Sequence, residues 1–421
     1  EAARDKASKL GSAAEYRQMA ALAADMQDRA EKTTHDVLQL WRAAAQRDAD
    51  DFWTWVYIGR LTQQSGDTAQ ALHAAGEARR VAGDDRERSI AALELGDLQQ
   101  AAGDLAAARR SFDESLQIAR RLAAANPVSA RAQRNISVSL DRLGVVQKAA
   151  GELAAARRSF DESHQILHRL AAANPASAEA QRDVSVSLNR LGDVQQAAGE
   201  LAAARRSFDE SLQIARRLAA ANPASAEAQR DVSVSLNRLG DVQQAAGDLA
   251  AARRSFDESL QIARRLAAAN PASAEAQRDV SVSLNRLGDV QQAAGELAAA
   301  RRSFDESLQI ARRLAAANPA SAQAQRDVSV SLNQLGDVQQ AAGDLAAARR
   351  SFDESLQIAR QLAAANPASA EAQRDVAVSL WRLATWREVA DAWLSLQARG
   401  VLSPVDQALL EEAQRRAASE R

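Results

Sequence analysis

The sequence predicts an all-α solenoid of stacked antiparallel helix pairs, and three observations predict it. Phenylalanine recurs at positions 112, 160, 208, 256, 304 and 352, each 48 residues after the last. The pair Asn-Pro recurs at 126–127, 174–175, 222–223, 270–271, 318–319 and 366–367 with the same step. Fixed self-similarity of this kind marks a repeat architecture. Within one unit the apolar period is helical. Val184, Leu188, Leu191, Val194 and Ala198 follow one stripe, and after Gly199 a second runs through Leu201, Ala204, Phe208, Leu212 and Ala215.

Punctuation residues divide each unit into two helices. Gly199 is a helix stop, and the acidic Glu200 behind it suits the positive end of the next helix dipole. At Asn222-Pro223 the Asn can cap, the Pro fits a first helical position, and the residue before Pro is biased away from α geometry. Each unit therefore reads as two antiparallel helices of roughly 20 residues joined by short turns. The run Val-Ser-Val-Ser-Leu at 184–188 alternates like a strand, but it is too short and too embedded to overturn the helical period. Pro175–Asn222 and Pro223–Asn270 differ only at Glu200 against Asp248, while Pro319–Asn366 adds Gln323, Gln334 and Gln361. Pro127–Asn174 is the most drifted unit. Near-identity on this scale means recent duplication or design.

Taken in order, residues 1–50 read as a long helix. Ser12 with Glu15 forms a capping box. Tyr16, Met19, Ala23, Met26, Ala30, Thr33, Val37, Leu40 and Ala44 follow at alternating three- and four-residue steps, a heptad seam. It either docks on the first repeat or leads, as a dimerising or signalling helix over residues 12–48, from an upstream effector domain. Residues 51–85 are a shorter helix pair, 86–126 a transitional pair, and 127–366 five 48-residue units. Residues 367–421 are capping helices, with Gly400 ending one and Ser403, Pro404 and Asp406 starting the last. All six tryptophans lie outside the regular repeats: Trp41, Trp53, Trp55, Trp381, Trp386 and Trp393. They read as caps for the open ends of the solenoid, or as contacts to a partner.

Composition narrows function. With 46% hydrophobic residues and a formal net charge of −2, the chain is not a disordered one. The balance of 53 Lys+Arg against 55 Asp+Glu argues against nucleic acid and acidic membranes as partners. The absence of cysteine removes disulfides, thiolate metal sites and thiol nucleophiles. No stretch is apolar enough to span a bilayer and no signal peptide is visible, so the expected location is cytoplasmic. The chain opens at Glu1 without Met, as a piece of something longer would.

The unit resembles the tetratricopeptide repeat family on specific residues. Leu188, Leu191-Gly192, Ala204 and Phe208 stand where the family has Trp or Leu, then Leu-Gly, then Ala and Phe, with Gly199 at the turn. Trp55, Ile58-Gly59, Gly66, Ala71 and Ala78 match at the family's usual length of about 34 residues. The later units carry 14 more, consistent with seven per helix, two whole turns each. The family's Tyr position is Gln195, a polar exchange that the sequence leaves unexplained. The resemblance implies a right-handed superhelix, of a bacterial type often joined to signalling or enzymatic domains. Its first helices would line a concave groove.

The same resemblance nominates a site. Asn189, Asp193 and Gln196 share one face of the first helix by their i, i+4, i+7 spacing. They recur as Asn237, Asp241 and Gln244, as Asn285, Asp289 and Gln292, and as Asn333, Asp337 and Gln340. Amides repeated in this way can pair with the backbone of an extended peptide, and the aspartates would favour basic side chains. The alternative is a solvated polar face. Asp141, Val145 and Lys148 break the pattern in the earlier unit and would polarise the groove. His164 and His168 stand one turn apart as a metal pair, but they replace residues of the Leu212 and Arg216 type and no third ligand is evident, so no metal is expected. Repeated identical groups do not converge on one reacting atom, so neither catalysis nor a cofactor is expected. The reading is a non-enzymatic scaffold that binds a protein or peptide along the groove, as the recognition or regulatory arm of a larger system. Its alternative is a passive spacer or self-assembling scaffold.

Overall fold

The computed structural model describes residues 13–21, 34–367, 369–402 and 404–419, and every regular element among them is a helix. The chain begins with α1 (13–21), α2 (Thr34–Arg47), α3 (Phe52–Gln64), α4 (Thr68–Val81), α5 (Asp85–Ala101) and α6 (Leu105–Ala125). The regular pairs follow: α7 (Ala130–Ala149) with α8 (Leu153–Ala173), α9 (Ala178–Ala197) with α10 (Leu201–Ala221), and α11 (Ala226–Ala245) with α12 (Leu249–Ala269). Then come α13 (Ala274–Ala293) with α14 (Leu297–Ala317) and α15 (Ala322–Ala341) with α16 (Leu345–Ala365). The last helices are α17 (Ala370–Arg382), α18 (Trp386–Ala398) and α19 (Pro404–Ser419). Two compact units emerge, one of Glu1–Val146 with Asn366–Glu371 and one of Gln147–Ala365 with Ala372–Arg421. The all-α, helix-pair reading holds in both.

The core of the second unit follows the two expected stripes. Ala204, Phe208, Leu212 and Ala215 of α10 pack with Val232, Leu236, Leu239 and Val242 of α11, and Ile262 of α12 closes the cluster. Thus each second helix is held by the helix after it, not only by its own partner. A solenoid is stable for this reason: one pair cannot bury both of its faces alone. Ala198, counted in the first stripe, is instead the exposed C-cap of α9. Gly199 follows with φ +77°, the left-handed turn that favours glycine.

Helix length accounts for the longer repeat. α3 and α4 have 13 and 14 residues, α9 and α10 have 20 and 21. Seven added residues in each helix is close to two turns, so the buried faces keep their alignment. The array stops where this changes. α17 is only 13 residues, because Ala384 takes a left-handed φ of 55° where the full repeats continue as helix.

Buried polar residues tie the helices together. Ser185 Oγ lies 2.8 Å from Ser211 Oγ, which lies 3.1 Å from Ser235 Oγ of the next unit. The motif repeats through Ser233, Ser259 and Ser283, and through Ser281, Ser307 and Ser331. The strand-like alternation at 184–188 is therefore a helical segment whose serines bridge neighbouring helices. Gln195 is explained as well: it is 7% exposed, and its Oε1 accepts from Ser207 Oγ at 2.8 Å.

The turns between paired helices differ in one residue. Asp248 caps α12 by accepting from the Ala251 N–H at 3.0 Å, whereas Glu200 makes no side-chain cap to α10. Its longer carboxylate reaches back to Arg157 at 2.7 Å. A cap is worth about 1 kcal/mol and an exposed ion pair less. Glu200→Asp is therefore expected to raise the unfolding free energy by less than ~1 kcal/mol, read as a higher chemical-denaturation midpoint at unchanged slope. A lowered midpoint would show that the cross-repeat pair outweighs the cap.

The N-terminal seam differs from the expectation. Ala13 and Ala20 are fully buried while Met19 is 45% exposed. Ala20 joins Val37, Leu38, Trp41, Ala45, Ile58 and Ala74 in one cluster, and Arg17 bridges Asp48 and Asp51 at 3.1 and 2.9 Å. The small alanines allow α1 to approach closely, so the buried stripe is displaced by one position from the seam. The seam positions Ala23, Met26, Ala30 and Thr33, and the caps Ser12 and Ser403, lie outside the described residues.

Candidate interaction face on the first helices

The first helices present a composite face with three parallel rows. One row is ionic and lies near their N-termini. Arg182 pairs with Asp231 one repeat on at 2.5 Å, and also with Glu227. Arg230 with Asp279, and Arg278 with Asp327, repeat the pair at 2.6 Å; Arg326 with Asp375 does so at 2.7 Å. One turn further along the helix stands a row of valines. Val186, Val234 and Val330 are 40–43% exposed, and Val282 of the intervening repeat is half-buried. Val138 of the first unit is 41% exposed. The sequence signal for this row is plain, since it recurs every 48 residues. It is easily missed because the valine sits inside the segment whose neighbours form the core.

The third row contains the residues nominated from sequence. Asp193 is engaged by Arg238 of the next repeat, Asp241 by Arg286 at 2.5 Å, and Asp337 by Arg382 at 3.0 Å. Asp97 and Arg142 make the same pair at 2.9 Å in the first unit. These aspartates therefore hold neighbouring repeats together and do not stand as open acceptors. These residues share one helix face, as their spacing requires, but the sequence reading missed the arginine 45 residues on as the partner of Asp193, Asp241 and Asp337.

The asparagines behave differently. Asn189 and Asn333 are 8% exposed, and Asn237 and Asn285 are half-buried. In all four the Oδ1 is buried and has no hydrogen-bond donor. Gln196, Gln244 and Gln292 are half-buried and Gln340 is exposed. The face thus brings together paired aspartates, unpaired asparagine carbonyls and exposed valines.

The end aromatics divide into core and surface. Trp41 and Trp393 are buried, and Trp41 stacks on Tyr57 at 4.5 Å between centroids. Trp53 is 39% exposed, and Trp55 donates its ring N–H to the Ala49 carbonyl at 2.7 Å. Trp381 and Trp386 meet edge to face at 5.2 Å, with the Arg416 guanidinium over both rings. His164 Nδ1 lies 2.9 Å from Ser187 Oγ, and burial holds its pKa below the ordinary histidine value. Among the described residues no group of three or more His, Cys, Asp or Glu is placed to hold a metal, and no helix is long and apolar enough to cross a membrane.

Two family profiles described as tetratricopeptide repeat match the chain, one at residues 184–223, 232–271 and 280–318, the other at 90–114 and 330–354. No curated protein matches the chain in sequence. A similar solved structure is that of a Rap protein complexed with competence and sporulation factor, at 10% identity and TM-score 0.51, covering 99% of each chain. The apo form of RapI is 12% identical at TM-score 0.48, over 74% of this chain and 98% of that one. A signal transduction ATPase with a tetratricopeptide repeat sensor from Pyrococcus horikoshii is 14% identical at TM-score 0.49, over 83% of this chain and 47% of that one.

Proposed function

We propose, from the premise that the repeats of this chain are tetratricopeptide repeats, that the chain is a protein-interaction scaffold whose first-helix face holds an extended peptide segment. The observation that carries this reading is the set of four buried, donorless asparagine carbonyls at equivalent positions of successive repeats. Leaving a buried acceptor unsatisfied costs about 1–3 kcal/mol, and a peptide backbone offers N–H donors whatever its sequence. The exposed valine row beside them supplies apolar contact to alternate side chains of the same strand. The ionic rows keep the repeats at constant spacing, so that the acceptors form a regular series.

The test separates the asparagines from the aspartates. A chain carrying Asn189→Ala, Asn237→Ala, Asn285→Ala and Asn333→Ala keeps every inter-repeat ion pair. Its partner, identified by mass spectrometry from a pull-down and reduced to a synthetic peptide, is expected to bind at least tenfold more weakly than to the parent chain, with helicity unchanged. Equal affinity for both chains would remove the asparagine row from the binding site.

The passive-spacer reading is favoured by one observation, the engagement of Asp193, Asp241 and Asp337 by the following repeat. Deletion of one 48-residue unit discriminates. A spacer keeps its activity at altered length, whereas a peptide-binding face loses affinity with each repeat removed.

A further inference from the structure

One rung of the aspartate–arginine row is broken. Where Arg238, Arg286 and Arg382 each face the aspartate of the preceding repeat, position 334 is Gln. Gln334 Nε2 donates to both carboxylate oxygens of Asp289 at 3.2 Å, which satisfies geometry but brings no positive charge of its own. The exchange also creates a second deficit. Gln334 Oε1 is buried and has no donor. Asn285 stands one turn before Asp289 on α13, and Asn333 stands beside Gln334 on α15. The Oδ1 of each is likewise buried without a donor, and Asn333 as a residue is 8% exposed. The rung therefore holds one carboxylate and three buried carbonyl acceptors, the Gln334 amide donates to the carboxylate, and the buried Nε of Arg286, on the same helix as Asp289, also has no partner.

We propose that the Asp289–Gln334 rung is a specificity pocket for one basic side chain, an arginine guanidinium, of the peptide bound along the first-helix face. This rests on the peptide-binding reading above and adds to it a place and a chemistry. The neighbouring rungs show the complementarity directly: an arginine of this chain fills the same position in each of them. A guanidinium carries five N–H donors in a planar fork, enough for the carboxylate and for the amide oxygens, whereas lysine offers three from one point. Near-identical repeats read the peptide without side-chain preference, so a single altered rung also sets where along the array that arginine must lie.

The experiment measures fluorescence anisotropy of labelled dodecapeptides of alternating Ser and Val on the full chain. Each peptide carries one central Arg, or its uncharged isostere citrulline. The variant is Gln334→Arg, which restores the residue the other rungs carry and so preserves the fold. The expected result is at least tenfold tighter binding of the Arg peptide by the parent chain. In the variant that ratio falls to about one, because the chain's own guanidinium fills the pocket. If the parent binds both peptides equally, peptide binding stands and the pocket is overturned. If neither peptide binds, the peptide-binding reading fails, and this inference with it.

Discussion

Gly240→Ala is expected to destabilise the chain by about 2 kcal/mol or more, while Gly59→Ala, at the equivalent position of the short repeat, is expected to stabilise it by up to about 1 kcal/mol. A Cβ built on Gly240 would lie 2.7 Å from Cδ1 of Phe256 and closer still to Cε1. Phe256 has no exposure and is enclosed by the α12–α13 core, so the ring cannot yield without opening that cluster. At Gly59 the nearest groups to an added Cβ are the Ala71 carbonyl and Ala74 Cβ, both at 3.7 Å, which is ordinary contact. There only the helix-propensity gain of alanine over glycine remains. Chemical denaturation of both variants checks the pair. Phe256→Ala alone would cost about 3–5 kcal/mol. The double variant Gly240→Ala with Phe256→Ala should cost less than the two singles together, because removing the ring removes the clash. Additive losses would mean that the glycine is needed for some reason other than the ring.

Gln334→Arg is expected to stabilise the chain at neutral pH and to have little effect near pH 4. Burial raises the Asp289 pKa from 3.8 to about 6, and neighbouring Asp241 and Asp337 add to it, while the Gln334 hydrogen bond and Arg286 lower it only in part. The sign follows from linkage. The folded state holds a proton on Asp289 that the unfolded chain has already lost between pH 4 and pH 6. Stability from this group therefore falls as pH rises through that window and stays low above it. The shift corresponds to at most about 3 kcal/mol, and solvent access to the half-buried rung reduces it to about 1–2 kcal/mol. An arginine at 334 compensates the ionised carboxylate and removes that loss. The measurement is the stability difference between variant and parent at pH 4, 6 and 8, in which carboxylates remote from the rung cancel. A pH-independent difference would show that Asp289 ionises normally.

Much of the architecture was legible because a repeat states its pattern many times. The apolar stripes through Val184 and Phe208, the stop at Gly199 and the two-turn extension of each helix are local consequences of spacing and turn chemistry, and each recurs in the structure. The row of Asn189, Asp193 and their copies also lies on one face, because i, i+4 spacing on a helix admits no other outcome. What the row does was not legible. The partner of Asp193 is Arg238, 45 residues away, and no local pattern distinguishes a carboxylate that waits for a ligand from one held by the next repeat.

The sequence by itself thus determined the class of fold, the length of its repeat and which polar residues share a face of the first helices. These depend on periodicities of three to four residues and on glycine and proline, which act within a turn. The tertiary structure alone decided which glycine is sterically obligatory, which polar residues of the serine, glutamine and aspartate rows are internally satisfied, and which asparagine carbonyls are left without a donor. It also decided that α1 packs through Ala13 and Ala20 and leaves Met19 exposed. Each of these turns on the distance between atoms of different helices. Packing of neighbouring repeats sets that distance, and one helical stripe carries no record of it.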